Sequence, residues 1–249
     1  VEETIDALSE IIDITQRDRR RFKRLREDSR NFDSLPIRSR LTDQEVAKFT
    51  AQRYRFPGVD VKARLFRSYP MGETGAHIIG YIGRINQREK ERIDDSDDAA
   101  NYRGTEYIGK TGVEASYEKE LHGQTGVERM ETSAGGHAVR KLGSAPATPG
   151  ESVVLSIDIK LQKMVEELYG ERRGVAIAID PRSGELLTMV SKPTYDPNLF
   201  VEGIDQDSWK ALNESIDRPL LNRAMRGTYP TGSTYKPFMG LAGLETGKR

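Results

Sequence analysis

The chain has 249 residues, 36% apolar and 31% charged, which is enough to bury a core and to make one or two domains. Its 39 lysines and arginines balance 39 aspartates and glutamates, so net charge gives no argument for nucleic acid or for a general acidic partner. There is no cysteine, which excludes a disulfide framework and a thiolate metal site and suits a periplasmic protein as well as many cytoplasmic ones.

Helices are expected at about 2–13, 16–29 and 43–53. Thr15 with Asp18 has the spacing of an N-cap for the second, and Thr42 with Glu45 that of a capping box for the third. The stretch Arg17-Asp-Arg-Arg-Arg-Phe-Lys-Arg-Leu-Arg26 carries seven cations in ten residues. Phe22 and Leu25 continue the apolar stripe of Ile11 and Ile14, so the arginines read as a solvated helix face. The competing reading is a patch for anionic lipid headgroups, glycan or an acidic protein surface. Val59, Val61 and Ala63 alternate with polar residues and Leu65 continues that face, predicting a strand from about 58 to 68. No window approaches 18 consecutive apolar residues, and Val1-Glu-Glu-Thr-Ile-Asp6 is already a water-facing helical pattern.

From Asn86 to Arg103 the chain is polar, and Asp94-Asp-Ser-Asp-Asp98 resembles a calcium loop only in charge. It lacks a glycine at the sixth position and a glutamate at the twelfth, so a solvated loop is expected. His77, His122 and His137 have no ligand spacing, and no metal or base role is assigned to them. Alternation from Val127 to Val139 predicts a strand, and Lys141-Leu-Gly-Ser-Ala-Pro-Ala-Thr-Pro-Gly150 reads as a linker and domain boundary. A strand over Val153–Ile157, a helix over Lys160–Tyr169 and a hairpin of 174–180 with 185–191 around Pro181-Arg-Ser-Gly184 should follow.

Ser233 and Lys236 form an S-x-x-K pair near the end of the chain. On a helix, residues three apart lie about 5–6 Å apart at Cβ, so the amine can reach the hydroxyl. A serine hydroxyl becomes a nucleophile when an adjacent base takes its proton. If Ser233 opens a helix, its N–H joins the unpaired donors that favour a developing oxyanion, and Gly232 permits the tight entry. The bare pattern recurs at Ser116-Tyr-Glu-Lys119, without the glycine before or the proline after, and that copy reads as an ordinary helix face. For Ser233 alone, an N-cap serine beside a solvated lysine would be the simpler reading.

The surroundings favour the catalytic one. Arg218-Pro-Leu-Leu-Asn-Arg-Ala-Met-Arg-Gly-Thr-Tyr-Pro-Thr-Gly-Ser-Thr-Tyr-Lys-Pro-Phe238 closely resembles the active-serine region of class B penicillin-binding proteins. Val175-Ala-Ile-Ala-Ile-Asp-Pro-Arg-Ser-Gly184, running on to Asp196-Pro-Asn198, is similar to the first hairpin of their transpeptidase domain, and Leu155-Ser-Ile-Asp-Ile-Lys-Leu-Gln162 to its strand-to-helix entry. Arg67-Ser-Tyr-Pro70, His77-Ile-Ile-Gly-Tyr-Ile-Gly-Arg84 and Tyr107-Ile-Gly-Lys-Thr-Gly-Val-Glu-Ala-Ser-Tyr-Glu118 resemble the non-catalytic pedestal. The detailed match is to the elongation-specific penicillin-binding protein 2 type, and it accounts for the chain from about residue 55 onward.

That resemblance implies an α+β fold: a pedestal with a helical head at 1–145, then the N-terminal part of a transpeptidase domain, an antiparallel sheet with helices, at 146–249. It implies a D,D-transpeptidase crosslinking peptidoglycan stem peptides, with Ser233 the acyl-ester nucleophile and Lys236 the general base. A serine-type D-Ala-D-Ala carboxypeptidase activity, reaction with penicillin and other β-lactams, and no cofactor or metal belong to the same implication. So do contact of the pedestal with a RodA-type lipid-II polymerase and an MreC-type scaffold, and a single-pass inner-membrane anchor with the body in the periplasm. Two departures stand out. The family's S-x-N and K-T-G elements do not follow Ser233, and the one Lys-Thr-Gly, Lys110-Thr-Gly112, lies upstream in the pedestal motif and reads as coincidence. The membrane helix is absent too, so the chain is expected to be an internal fragment of a membrane-anchored protein, or a version made to be soluble, and unreactive with penicillin by itself. The rival reading is a pedestal that docks elongation-machinery proteins. A third reading is a regulatory sensor or a β-lactamase of the same S-x-x-K fold, and the pedestal argues against a β-lactamase, which normally lacks one.

Overall fold

A computed structural model describes residues 1–28, 35–63, 65–132 and 138–247, and the chain folds as two units. The first comprises Val1–Leu65 and Glu128–Ala145; the second comprises Phe66–Val127 and the chain from Pro146 onward.

The first unit opens with α1 (Glu2–Ser9), α2 (Gln16–Asp28) and α3 (Asp43–Gln52), followed by a 3-10 turn at Arg53–Arg55. Both predicted caps form. Thr15 and Asp18 exchange backbone and side-chain hydrogen bonds at the start of α2, and Thr42 with Glu45 makes a complete capping box on α3. Helix α1 ends earlier than its periodicity suggests, yet Ile11 and Ile12 stay buried in the turn beyond it, beside Leu8, Phe49 and Phe56. Phe22 is buried and Arg20, Lys23 and Arg24 are exposed, as the solvated-face reading of α2 requires.

The strand predicted over 58–68 does not form among its described residues. Val59 and Val61 still pack on the apolar cluster, but a strand needs a hydrogen-bonding neighbour, and alternation alone does not supply one. Leu65 is fully exposed rather than a continuation of that face.

In the second unit, α4 (Ala76–Ile79) leads into β1 (Ile82–Arg84), which pairs antiparallel with β2 (Tyr107–Gly109) in the register Gly83 to Ile108. Between the strands the expected solvated loop is half helix: α5 (Gln87–Asp94) is capped reciprocally by Asn86 and Glu89. The remaining acidic residues lie in turns, and no cluster able to hold a metal ion occurs among the described residues. Helices α6 (Gly112–Ser116) and α7 (Glu118–His122) follow. The backbones of α4 and α6 touch: a Cβ at Gly112, whose φ is +61°, would stand 2.4 Å from the Ile78 carbonyl oxygen. Lys110 is held by Glu89 and the Arg84 carbonyl, so Lys110-Thr-Gly112 is an architectural element here. Ser116 and Lys119 fall on different helices, with Lys119 paired to Asp98 at 3.3 Å.

Strands β3 (Val127–Thr132) and β4 (Ala138–Ala145) pair with each other, so the first half of the expected linker is strand; His137 lies outside the described residues. The chain then returns to the second unit at Pro146. No strand forms over Val153–Ile157, where two hydrogen bonds, Ser156 Oγ to the Leu186 carbonyl and Asp158 N–H to the Leu187 carbonyl, hold the segment instead. Asp158 caps α8 (Ile159–Tyr169), which packs on the expected hairpin of β5 (Gly174–Ile179) and β6 (Leu186–Lys192). Its fully buried Gln162 accepts hydrogen bonds from Thr188 Oγ1 at 2.5 Å and Met189 N–H at 2.9 Å, locking helix to strand.

Residues 66–127, expected to belong with the non-catalytic part, are fastened to the hairpin side of the second unit. The Asn198 side chain grips Tyr69 twice, accepting its N–H at 3.1 Å and donating to its carbonyl at 2.9 Å. Gly75 N–H donates to Glu166 of α8, and Thr194 Oγ1 to the Glu73 carbonyl. Ala76, Tyr195 and Phe200 form a shared core with Tyr81, Ile204, Leu212 and Leu220 around it.

Candidate active site

The segment carrying Ser233 starts on the hairpin. Helix α9 (Gln206–Glu214) is followed by a loop and by α10 (Arg223–Arg226), which lies against β5 and β6. Asn222 caps α10 by accepting the Met225 N–H at 3.2 Å, while its amide donates to the His77 carbonyl at 3.2 Å. Arg223 is 8% exposed; its N–H donates to Ser191 Oγ on β6 at 2.9 Å, and its guanidinium donates to the carbonyls of Asp217, Arg218 and Leu221.

Residues 227–231 then lead outward to Gly232, whose φ of +54° is the left-handed conformation that glycine adopts without a Cβ penalty. Contrary to the expectation from sequence, Ser233 does not open the long helix. It sits in a 3-10 turn, Gly232–Tyr235, and α11 (Lys236–Thr246) begins one turn later. The turn is closed by Thr234, whose N–H and hydroxyl both reach the Thr231 carbonyl, and by the Lys236 N–H, which donates to the Ser233 carbonyl. A 3-10 turn has three residues per turn, so i and i+3 eclipse, and Ser233 and Lys236 stand on one edge. Both are exposed, and no hydrogen bond joins their side chains among the described residues. Pro237 occupies the first turn of α11, where its missing N–H costs nothing. The helix is apolar yet exposed at Phe238, Met239, Leu241 and Leu244.

His77 and His122 take packing roles. His77 is buried edge-on against Tyr195 at 5.1 Å, with Nε2 3.4 Å from the Pro193 carbonyl oxygen. Burial pushes its pKa below the ordinary value, and the neighbouring Arg223 charge pushes the same way. His122 stacks on Tyr102 at 4.2 Å, beside Glu118. An ion pair joins the partly exposed Arg67 to the buried Glu114 through two contacts of 2.6 Å, and Glu114 also accepts from the Tyr69 hydroxyl at 3.0 Å. Desolvation raises the Tyr69 phenol well above its usual range. These residues line a cavity of about 290 Å³ with Met71, Thr74 and Ile79. Sequence reasoning passed over Asn222 and Arg223; the Asn222-x-x-Met225 cap was readable, whereas the long-range grips were not.

Residues 1–155 match the penicillin-binding protein dimerisation domain, and residues 174–249 the penicillin-binding protein transpeptidase domain. The peptidoglycan D,D-transpeptidase MrdA of Escherichia coli strain K12 is 42% identical over 247 residues, covering 99% of this chain and 39% of that protein. The protein of the same name from Acinetobacter baumannii is 43% identical over 247 residues, covering 99% of this chain and 36% of its own length. Among solved structures, PBP2 from Helicobacter pylori, in a complex with MreC, matches with a TM-score of 0.73 at 29% identity over 96% of this chain and 45% of that one. Pseudomonas aeruginosa PBP2 in complex with WCK 5153 matches with a TM-score of 0.61 at 45% identity over 76% of this chain and 37% of that one. This chain thus spans less than half the length of these relatives. With most of its residues inside the dimerisation domain and its last portion inside the transpeptidase domain, the chain belongs to the penicillin-binding protein family.

Proposed function

We propose that the whole protein is a peptidoglycan D,D-transpeptidase of the penicillin-binding protein 2 type, acting in cell elongation. The observation that carries this is the Ser233-x-x-Lys236 pair, set behind a left-handed Gly232 on one edge of a 3-10 turn, in a segment matching the transpeptidase domain. Ser233 Oγ attacks the carbonyl carbon of a stem peptide's D-Ala-D-Ala bond, and Lys236 Nζ takes the hydroxyl proton. The tetrahedral intermediate collapses, the terminal D-Ala leaves carrying that proton on its amine, and an acyl-serine remains. The amine of a neighbouring strand then attacks the ester and restores Ser233. Water in its place would give carboxypeptidase hydrolysis, and a β-lactam would acylate the same oxygen. A lysine serves as base at neutral pH when burial or nearby cations displace its proton. Lys236 is exposed in this chain, so the base role requires further protein around it, and the 249-residue chain by itself is expected not to react.

A second reading, compatible with the first, is a docking surface for elongation partners. The resemblance to a PBP2 that forms a complex with MreC supports an MreC-type scaffold as one partner. A RodA-type polymerase, lipid II-derived glycan, a periplasm-facing body and a single-pass inner-membrane anchor complete the proposal.

The test is intact mass after penicillin treatment of the full-length protein. A single penicilloyl adduct is expected on the wild type and none on Ser233→Ala. An unmodified, folded wild type would turn the assignment toward the docking role alone.

A further inference from the structure

The stretch just before the nucleophile turn is fastened at two residues, and little holds it afterward. Asn222 uses both ends of its amide: the oxygen caps α10 through the Met225 N–H, and the nitrogen reaches out of the segment to the carbonyl of His77 on α4. Arg223 ties the same point to β6 through its N–H and Ser191 Oγ, and Ser191 in turn donates to the Leu221 carbonyl at 3.3 Å. Burying a guanidinium is costly unless its donors are met, and those of Arg223 reach the carbonyls of Asp217, Arg218 and Leu221. A buried aliphatic residue would fill the space at lower cost, so the arginine's distinct contribution is the fixed shape of loop 217–222. That loop includes Arg218 in a left-handed conformation, φ +43°, which a non-glycine residue holds only when its surroundings impose it.

Just after α10, Gly227 packs against that helix's own backbone and the Tyr229 ring: a Cβ there would lie 2.4 Å from the Arg223 carbonyl oxygen and 2.6 Å from the ring. Residues 228–231 are exposed, so the location of Ser233 is inherited from residues 222–227. The His77 carbonyl belongs to the stretch that matches the dimerisation domain, and Asn222 to the one that matches the transpeptidase domain.

We propose that Asn222 and Arg223 are positioning residues for Ser233, with the Asn222 amide the link that sets the nucleophile turn relative to α4. The inference rests on the reading of Ser233 as nucleophile. It assigns the amide nitrogen of Asn222 a duty separable from the capping duty of its oxygen.

Asn222→Asp separates the two, because aspartate is as good an N-cap but cannot donate to a carbonyl. In the full-length protein, penicillin acylation is measured as a pre-acylation dissociation constant and an acylation rate constant, beside the melting temperature. Displacing a reacting group by about 1 Å costs up to ~100-fold, so the rate constant is expected to fall at least ~10-fold in both Asn222→Ala and Asn222→Asp. The dissociation constant should move less than ~3-fold, and Asn222→Asp should melt near the wild type. Arg223→Lys, which keeps the charge but not the fork that spans several carbonyls, should also slow acylation. A wild-type rate constant in Asn222→Asp overturns the proposal, since capping alone would then explain the residue. A parallel loss of binding, rate and melting temperature in Asn222→Asp overturns it too, as a general structural defect. If the wild type itself forms no adduct while folded, the assignment of Ser233 fails, and this inference falls with it.

Discussion

Glu45 works for two elements at once. Its carboxylate accepts the Thr42 N–H at 2.8 Å and hydroxyl at 2.9 Å, closing the box on α3, and it meets Arg38 at 2.9 Å. The Thr42 N–H, helped by Arg38, brings its pKa from the ordinary 4.5 down to about 2. A depressed carboxylate contributes stability that is complete above the unfolded value and lost as pH falls through the folded one. The first unit should therefore lose stability as pH drops from 4.5 to about 2, and Glu45→Gln should flatten that part of the curve. Denaturant midpoints taken across that window check it. The box was readable from Thr42 and Glu45 alone because capping is a contract between residues three apart. Arg38, by contrast, carries no local signature of its partner.

The same division between near and far runs through the elements. Helices α2, α3 and α8 and the β5–β6 hairpin were legible because caps, periodicity and a Pro-x-x-Gly turn are all local. The strands expected over 58–68 and 153–157 were not formed, since pairing depends on a distant neighbour that alternation does not name. Helix α5 was missed although Asn86 and Glu89 announce it; the acidic run behind them drew the reading toward a loop. At the Ser233 turn the sequence marked Ser233, Lys236 and the entry at Gly232, but placed the serine on an α-helix rather than in the 3-10 turn before it. Gly232→Ala isolates that turn. A Cβ at Gly232 would meet nothing within 4 Å, so the penalty is backbone strain alone, about 1–2 kcal/mol for a left-handed residue. The exposed turn can relax without unfolding the rest. Penicillin acylation of the full-length protein should slow about ten-fold, with the melting temperature nearly unchanged.

At the scale of the molecule, the matched domains and the folded units divide the chain differently. The dimerisation match runs through residue 155, while Phe66–Val127 packs into one unit with the chain beyond Pro146. Asn198 is central to that packing, because it satisfies both main-chain groups of Tyr69 from 129 residues away. Asn198→Ala leaves both groups without their partner, which should cost roughly 2–4 kcal/mol. Urea unfolding followed by a signal from the second unit should show a lower midpoint with an unchanged slope; an unmoved midpoint would mean the grip is incidental.

The Asn198 clasp also bears on how such chains can be cut and recombined. Breaking at residue 145 would leave Ala76 in one piece and its core partners Tyr195 and Phe200 in the other. Crossing over at the three places where the chain passes from one unit to the other, between Leu65 and Phe66, between Val127 and Glu128 and between Ala145 and Pro146, would exchange the first unit while keeping both halves of that core together. For a chimaera between two members of this family, the transferable module is therefore discontinuous in the gene.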